Sequence, residues 1–166
     1  MTNQTIQVAI IMGSDSDLPI VEAIFPILDS FGVKFTKNVM SAHSTPHDVM
    51  ELIKNSEENG CKVFIAAAGM AAHLAGAVAA HSTRPVIGIP IESGGMGGID
   101  SLLSTAMMPP GVPVATVAVG KSGAKNSAIL AVQILATSDD DLAKKLIEYK
   151  QNMRSEDLEK DKKLNS

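Results

Sequence analysis

One histidine of this sequence lies in a setting suited to proton transfer. His43 belongs to the segment Ser41-Ala42-His43-Ser44-Thr45-Pro46, which joins an apolar run ending at Met40 to a helical pattern opening at Pro46. An imidazole accepts or donates a proton near neutral pH, and hydroxyls with free backbone N–H groups at a helix N-terminus can hold an anion. We therefore predict that this segment holds an anion and that His43 moves a proton. A loop histidine with only a capping partner is the alternative.

A second polar segment follows the first apolar run of the chain. Gly13-Ser14-Asp15-Ser16-Asp17 comes directly after that run and opens a helical pattern. Glycine lets the backbone approach a ligand, and serine hydroxyls suit a phosphate. Because two carboxylates would repel a phosphate, we assign Asp17 to ribose hydroxyls and leave Asp15 in solvent. A capped turn without a ligand is the alternative. Neither a GxGxxG nor a Walker pattern occurs, so dinucleotide and NTP binding are not indicated.

The other histidines and the single cysteine give weaker signals. His73 lies in a Gly/Ala-rich segment that follows the third apolar run. His47 is interpreted as a surface residue, and the helix dipole is a sufficient explanation for His81 near a helix C-terminus. Cys61 lies at the start of its predicted strand, away from the predicted site, which favours a buried, unreactive thiol. The spacings HxH, HExxH and CxxC do not occur, so no metal is implied.

Apolar runs that alternate with helical patterns predict the fold class. The predicted strands are residues 7–12, 34–40, 61–67, 85–90 and 113–119, and the predicted helices include residues 18–31, 46–59, 99–106, 122–136 and 140–163. This alternation predicts an α/β protein, a three-layer αβα sandwich with a central parallel sheet. We expect one domain over residues 1–166, made of an N-terminal tail (1–6), a compact core (7–137) and a charged C-terminal helical arm (138–166).

Parallel strands also predict where the polar segments meet. Right-handed crossovers place every strand-to-helix turn at the carboxyl edge of the sheet, where ligands bind in open α/β folds. The turns over residues 13–17, 41–45, 68–73 and 92–98 should therefore converge on one site. The segment 107–111, with adjacent prolines, is either a lid over that site or a rigid connection.

Composition limits the classes of protein to which the chain can belong. The 166 residues are 45% hydrophobic and only 3% aromatic, which favours a globular core of small aliphatic side chains and disfavours base stacking. A net charge of −4 offers no basic surface for nucleic acid. The apolar runs are too short to cross a bilayer, no secretory signal pattern is visible, and a single cysteine fits a reducing compartment. We expect a cytoplasmic protein with neither a nucleic-acid nor a membrane partner.

Several motifs in a fixed order resemble the N5-carboxyaminoimidazole ribonucleotide mutase family of purine biosynthesis, the PurE family. The resemblance extends from about Val8 to Ala136. Its motifs are MGSDSD at 12–17, SAH and TP around Ser44, AAHL at 71–74, GIPIES at 88–93, IDSLLS at 99–104, MPPGVPVATVAVGKSGAKN at 108–126 and AVQILA at 131–136. Their order and spacing in one short chain make the resemblance specific.

The resemblance implies a fold, an assembly and a reaction. The fold is a flavodoxin-like sheet, and the assembly is a homo-octamer in which each site is built from more than one subunit. The reaction converts N5-carboxyaminoimidazole ribonucleotide to 4-carboxy-5-aminoimidazole ribonucleotide, by decarboxylation and recarboxylation, without cofactor or metal. By the same resemblance the phosphate and ribose are held by Ser14, Ser16 and Asp17, the imidazole is faced by Ser41 and His43, and the carboxylate pocket is lined by Ala68, Gly69, His73 and Leu74.

This sequence differs from the family pattern at several positions, because the family's GAGG reads Ala67-Ala68-Gly69-Met70 here and its HLPG reads His73-Leu74-Ala75-Gly76. Ser44 stands where the family usually has an arginine that binds phosphate, so a bidentate charge-assisted contact is replaced by one neutral hydrogen bond. Compensation for the missing charge is assigned to Lys37, Lys121 or Lys125, without a choice among them. Met70 and Ala75 alter the rim of the predicted pocket.

Three other functions stay open at the level of the sequence. One is direct carboxylation of aminoimidazole ribonucleotide by carbon dioxide, and the second is a carboxylate mutase that acts on another nucleotide. The third is a non-catalytic, flavodoxin-like module that binds a nucleotide or a flavin, although the scarcity of aromatic residues disfavours flavin stacking.

Overall fold

Five parallel strands form a single sheet in the computed structural model, which describes residues 5–165. The strands are β1 (Val8–Met12), β2 (Phe35–Val39), β3 (Val63–Gly69), β4 (Val86–Ile91) and β5 (Ala115–Thr116). Their order across the sheet is β2-β1-β3-β4-β5. This is the flavodoxin-like order, in which the direction of winding reverses between β1 and β3.

Helices cover both faces of the sheet. They are α1 (Leu18–Val21), α2 (Phe25–Phe31), α3 (Pro46–Glu58), α4 (Leu74–His81), α5 (Ile99–Ala106), α6 (Lys121–Ala136) and α7 (Asp140–Leu164). Helices α1 and α2 pack with α6 on one face, and α3 and α5 pack with α4 on the other. The predicted three-layer αβα sandwich is confirmed.

Alternate side chains of β1 point to opposite faces of the sheet, so the hydrophobic core has one cluster on each face. Val8, Ile10 and Met12 pack with residues of α2 and α6, whereas Ala9 and Ile11 pack with residues of α3 and α4. All five are buried. A central parallel strand is covered on both faces, which is why this stretch is continuously apolar in the sequence.

The first predicted helix is interrupted in the structure. The predicted helix over residues 18–31 is divided into α1 and α2 by a 3-10 turn at Glu22–Ile24, and Pro26 lies in the first turn of α2. Proline has no N–H to donate to the preceding turn, so a helix is broken before it. Gly32 ends α2 with a φ of 77°, as expected of a residue just past a helix C-terminus.

The last strand is shorter than predicted. Only Ala115–Thr116 form a regular ladder, although the prediction covered residues 113–119. Pro113 has no N–H to donate to β4, so a regular ladder does not form at this position. Past Thr116 the chain still follows β4, because Val117 N donates to Gly88 O (3.1 Å) and Gly120 N donates to Pro90 O (2.9 Å).

The charged C-terminal segment forms α7. Leu142 is buried, Leu146 and Tyr149 pack partly against the core, and Lys145 Nζ donates to Phe31 O at 2.9 Å. From residue 150 onward every described side chain is exposed. Of the predicted N-terminal tail, residues 1–4 lie outside the described residues. None of the helices described here is long and apolar enough to cross a membrane.

Candidate active site

A cavity of about 310 Å³ opens at the carboxyl edge of the sheet, where the loops that follow β1, β2, β3 and β4 meet. Its location next to the β1/β3 switch point is the usual ligand site of doubly wound folds. The cavity is lined by all of the predicted site residues except Ser44, namely Ser14, Ser16, Asp17, Ser41, His43, Ala68, Gly69, His73 and Leu74. The predicted convergence of the four polar turns is confirmed, with Ser93 as the lining residue from the fourth.

Two histidines from different loops are hydrogen-bonded across the cavity. Nε2 of His43 lies 2.8 Å from Nδ1 of His73. A hydrogen bond between two ring nitrogens needs one N–H and one lone pair, so both rings cannot be cationic while this bond exists. The two rings together can therefore carry one positive charge, which suits a site that first donates and later accepts a single proton.

The hydroxyl of Ser41 organises the loop that carries His43. Ser41 Oγ accepts hydrogen bonds from the backbone N–H groups of His43 and Ser44, each at 3.2 Å. Thr45 Oγ1 in turn accepts from Ser41 N at 3.0 Å. α3 then begins at Pro46, whose missing N–H costs nothing in the first turn of a helix. The Ser41 hydroxyl therefore shapes the backbone of the loop and retains its own proton for donation to a ligand.

The loop after β1 is a reciprocal capping box. Ser14 Oγ accepts from Ser16 N (3.2 Å) and from Ser16 Oγ (2.8 Å), and Ser14 N donates to Asp17 Oδ2 at 3.1 Å. The capped turn weighed as an alternative is therefore present, and its polar atoms also line the cavity. Asp15 is exposed, as predicted.

Asp17 is the one buried carboxylate of this cavity. Burial raises the pKa of the Asp17 carboxyl above its ordinary value of 3.8, and the charge of Asp15 raises this pKa further. The hydrogen bond from the backbone of Ser14 acts in the opposite direction and lowers it. A buried carboxylate is stabilised more by a hydrogen bond from a hydroxyl group than an exposed carboxylate is.

The loop after β4 approaches the cavity through a glycine contact. A β-carbon on Gly69 would overlap Ser93 Oγ, so only glycine fits this position without displacing the loop. This contact brings Ser93 into the cavity lining. Met70, predicted at the rim, lines the cavity, whereas Ala75, predicted there too, is buried in the core. Four further lining residues were not predicted as site residues, namely Gly13, Ala42, Ala71 and Ser93. Their membership in the convergent turns was the signal that could have identified them.

The lysines considered as substitutes for the family arginine lie elsewhere. Lys37 Nζ is 4.8 Å from the centre of the Phe25 ring, and Lys121 and Lys125 line a different cavity beside Tyr149. Among the described residues, the cavity lining contains no lysine or arginine. Ser44 is exposed, and its backbone N–H is bonded to Ser41. One chain therefore provides hydroxyls and backbone groups, but no cationic side chain, for a phosphate.

Two other sequence expectations concern residues outside the cavity. Cys61 is fully buried, and burial raises the pKa of its thiol, which is consistent with the predicted unreactive cysteine. In the segment 107–111, the Met108 side chain packs against Gly76, and Gly111 lines a separate cavity beside Arg84. None of its residues lines the cavity of this one chain, and the choice between a lid and a rigid connection stays a prediction. Within residues 5–165, no three His, Cys, Asp or Glu side chains are arranged to hold a metal.

The fold and the cavity define a flavodoxin-like α/β protein with a histidine pair at the switch point of its sheet. The family model described as AIR carboxylase matches residues 7–156. The chain belongs to the AIR carboxylase family.

Relatives named N5-carboxyaminoimidazole ribonucleotide mutase match nearly the whole chain. That of Methanocaldococcus jannaschii is 50% identical over 157 residues, covering 95% of this chain and 96% of the relative. That of Bacillus subtilis is 50% identical over 152 residues, covering 92% and 94%. The crystal structure of Treponema denticola PurE matches with a TM-score of 0.87 at 30% identity, covering 96% of this chain and 99% of that one. The resemblance of the sequence motifs to this family is confirmed.

Proposed function

We propose that this chain is an N5-carboxyaminoimidazole ribonucleotide mutase, an isomerase of purine biosynthesis. The observation that carries the proposal is the histidine pair in a small cavity, His43 Nε2 to His73 Nδ1 at 2.8 Å, in a chain whose relatives bear that name. The reaction needs one group that can give and then take a proton near the substrate ring, and this pair has that capacity.

The cavity lining suggests how the substrate would be oriented. Ser14 and Ser16 present hydroxyls for the phosphate, and Asp17 presents a buried carboxylate for the ribose hydroxyls. The aminoimidazole ring would then lie between the Ser41 loop and the histidine pair. Ala68, Gly69 and Leu74 line the part of the cavity assigned to the carboxylate, where small side chains leave room for it.

The chemistry can be written with the histidine pair alone. The C–N bond of the carbamate breaks, its electron pair stays on nitrogen, and that nitrogen takes a proton from His43 as carbon dioxide forms. The ring carbon, nucleophilic because the adjacent amino group donates electrons, attacks carbon dioxide and forms the new C–C bond. The proton on that carbon passes to His43, which restores the aromatic ring and the starting protonation state. Atoms and protons balance, and no electron acceptor is consumed.

Direct carboxylation of aminoimidazole ribonucleotide is the second candidate, because the family model is described by that activity. One experiment separates the two. The purified protein is supplied either with the carbamate in buffer depleted of carbon dioxide, or with aminoimidazole ribonucleotide and bicarbonate, and the C-carboxylated product is measured. The mutase forms product from the carbamate and far less from the second mixture. Product from bicarbonate alone at an equal or higher rate would identify the carboxylase, and no product from either would rule out both.

We also propose a homo-octameric assembly, as the resemblance implies, with the cytoplasm as its location. Exposed apolar side chains at α5 support an assembly, because Ile99 and Leu103 of this helix and Met107 directly after it are each more than half exposed. A neighbouring copy would also be the source of a cation for the phosphate. Light scattering after size exclusion should give eight times the 17.3 kDa of one chain, and a monomeric mass would contradict the assembly.

A further inference from the structure

One residue at the rim of the cavity has an unfavourable backbone conformation. Met70 has a φ of 53°, and it is the one non-glycine residue with a positive φ in the part of the chain that the structure describes. A β-carbon makes this left-handed region unfavourable, so glycine is the usual residue there. Backbone strain of this kind is concentrated at functional sites, where the surrounding structure holds it in place.

The surroundings of Met70 indicate which part of the residue is needed. Its side chain is 60% exposed and lines the cavity beside Gly69 and Ala71. Met70 Cγ lies 3.8 Å from the point where a β-carbon on Gly94 would stand, so the side chain reaches from the loop after β3 to the loop after β4. The methionine thus lies at the cavity mouth, between two loops that both border the cavity.

The backbone of Met70 is tied to the histidine pair as well. Met70 O accepts from Ala72 N at 2.9 Å, and Ala71 O accepts from His73 N at 2.8 Å. These two bonds form the tight turn that leads from the strand to His73. Glycine at position 70 would form the same turn without the unfavourable free energy of a β-carbon at positive φ. The turn alone therefore does not explain why the chain carries a methionine.

We propose that Met70 is the cover of the carboxyl pocket: its side chain closes over the bound ligand and holds the released carbon dioxide until the ring carbon captures it. The inference rests on the proposed function, because only a reaction with a free carbon dioxide intermediate needs such a cover. An unbranched, flexible and apolar side chain suits this task, since it can fold over a ligand and exclude water without offering a competing nucleophile.

The position of the side chain can be tested by its rate of oxidation. Met96 is the matched control, because it is 63% exposed, lies in the loop after β4 and does not line the cavity. The whole protein is treated with hydrogen peroxide with and without saturating product, 4-carboxy-5-aminoimidazole ribonucleotide, and sulfoxide at each methionine is measured by mass spectrometry. We expect the ligand to slow oxidation of Met70 about fivefold or more and to leave Met96 unchanged. Equal rates at Met70 with and without bound product would overturn the proposal.

Two substitutions separate the side chain from the backbone. Met70→Ala removes the side chain and keeps a β-carbon at positive φ, whereas Met70→Gly removes both the side chain and the strain. Each variant receives substrate labelled with carbon-13 in the carbamate, in unlabelled bicarbonate buffer, and the label retained in the product is measured. We expect the wild type and Met96→Ala to retain most of the label, and both Met70 variants to lose about half or more of it.

The outcomes distinguish this inference from the proposed function. If the wild type converts no carbamate, the proposed function fails. The wild type and both Met70 variants could instead convert the carbamate and retain the label equally. That result would support the mutase function and would overturn the role of Met70 as a cover. Label loss in Met70→Gly alone would assign the effect to the backbone and would likewise overturn the proposal. Met70→Gly should unfold at no lower temperature than the wild type, so a folding failure does not confuse the result.

Discussion

The imidazole rings of His43 and His73 meet edge to face, with their centroids 5.0 Å apart and their planes at 76°. They come from the loops after β2 and β3, two strands that β1 separates in the sheet. The hydrogen bond between the rings therefore spans the switch point of the fold. One ring nitrogen donates and the other accepts in this bond, so each ring fixes the orientation of the other.

His73 should act as a positioning residue for His43. Replacing His73 with Leu removes the ring nitrogen that faces His43 Nε2, and we expect kcat to fall about tenfold or more with a smaller change in KM. A fall in kcat that exceeds the change in KM would assign His73 to the proton-transfer step and not to substrate binding. His73→Asn, which keeps a polar atom near the Nδ1 position, should restore part of the rate. An unchanged kcat in His73→Leu would show that the ring only fills space.

His43 should be needed for turnover and not for binding. His43→Asn removes the titrating group, and we expect kcat to fall about 10²–10⁴-fold while aminoimidazole ribonucleotide binds within a few-fold of the wild-type affinity. Rates and calorimetric binding are measured on the same preparations. His47→Asn is the matched control, because His47 is an exposed histidine of α3 that does not line the cavity. A His43→Asn variant with normal turnover would remove this residue from the mechanism.

We expect the charged Asp17 carboxylate to lower the free energy of unfolding at neutral pH. Since burial raises its pKa in the folded state, the folded protein binds a proton more readily than the unfolded chain, and stability falls as the pH rises from 3.8 through the folded pKa. Asp17→Asn keeps an acceptor for Ser14 N and carries no charge. We expect its urea midpoint to exceed that of the wild type at pH 7, with a difference that shrinks as the pH falls through the raised folded pKa toward 3.8. A lower midpoint for the variant at pH 7 would show that the carboxylate stabilises the fold.

Ser44 offers a direct test of how the phosphate is bound. Ser44→Arg adds a guanidinium next to the His43 loop, where it can pair with a phosphate in a bidentate manner. We expect aminoimidazole ribonucleotide to bind about tenfold more tightly. The dephosphorylated nucleoside, titrated under the same conditions, should bind with unchanged affinity. If both ligands gain equally, or neither gains, the phosphate does not lie beside position 44.

The sequence predicted the layers of the fold because each central strand is covered on both faces. The apolar run that became β1 has alternate residues in two clusters, and such a run with helical patterns on either side is typical of a parallel sheet. The length of the edge strand β5 was overestimated. Apolar residues there indicated seven positions, whereas a regular ladder forms only at Ala115–Thr116, because one neighbour and a proline give a poor ladder.

The sequence predicted which turns meet at the cavity, but not the contacts between their side chains. Topology places the ends of parallel strands together, so the polar turns could be assigned to one site from the sequence. The bond between His43 and His73 could not, because it depends on strand order and on the exact path of two loops. Met70 was noted as a departure from a family motif, but its positive φ is a property of the turn and leaves no signal in residue type.

The reversal of winding between β1 and β3 has a consequence for how this scaffold can change. Because the chain leaves these neighbouring strands toward opposite faces, a crevice exists before any particular loop residue is chosen. Loop sequences can therefore be exchanged while the hydrophobic layers stay as they are. Selection for a new substrate, in nature or in a library, would need to alter only those few turns.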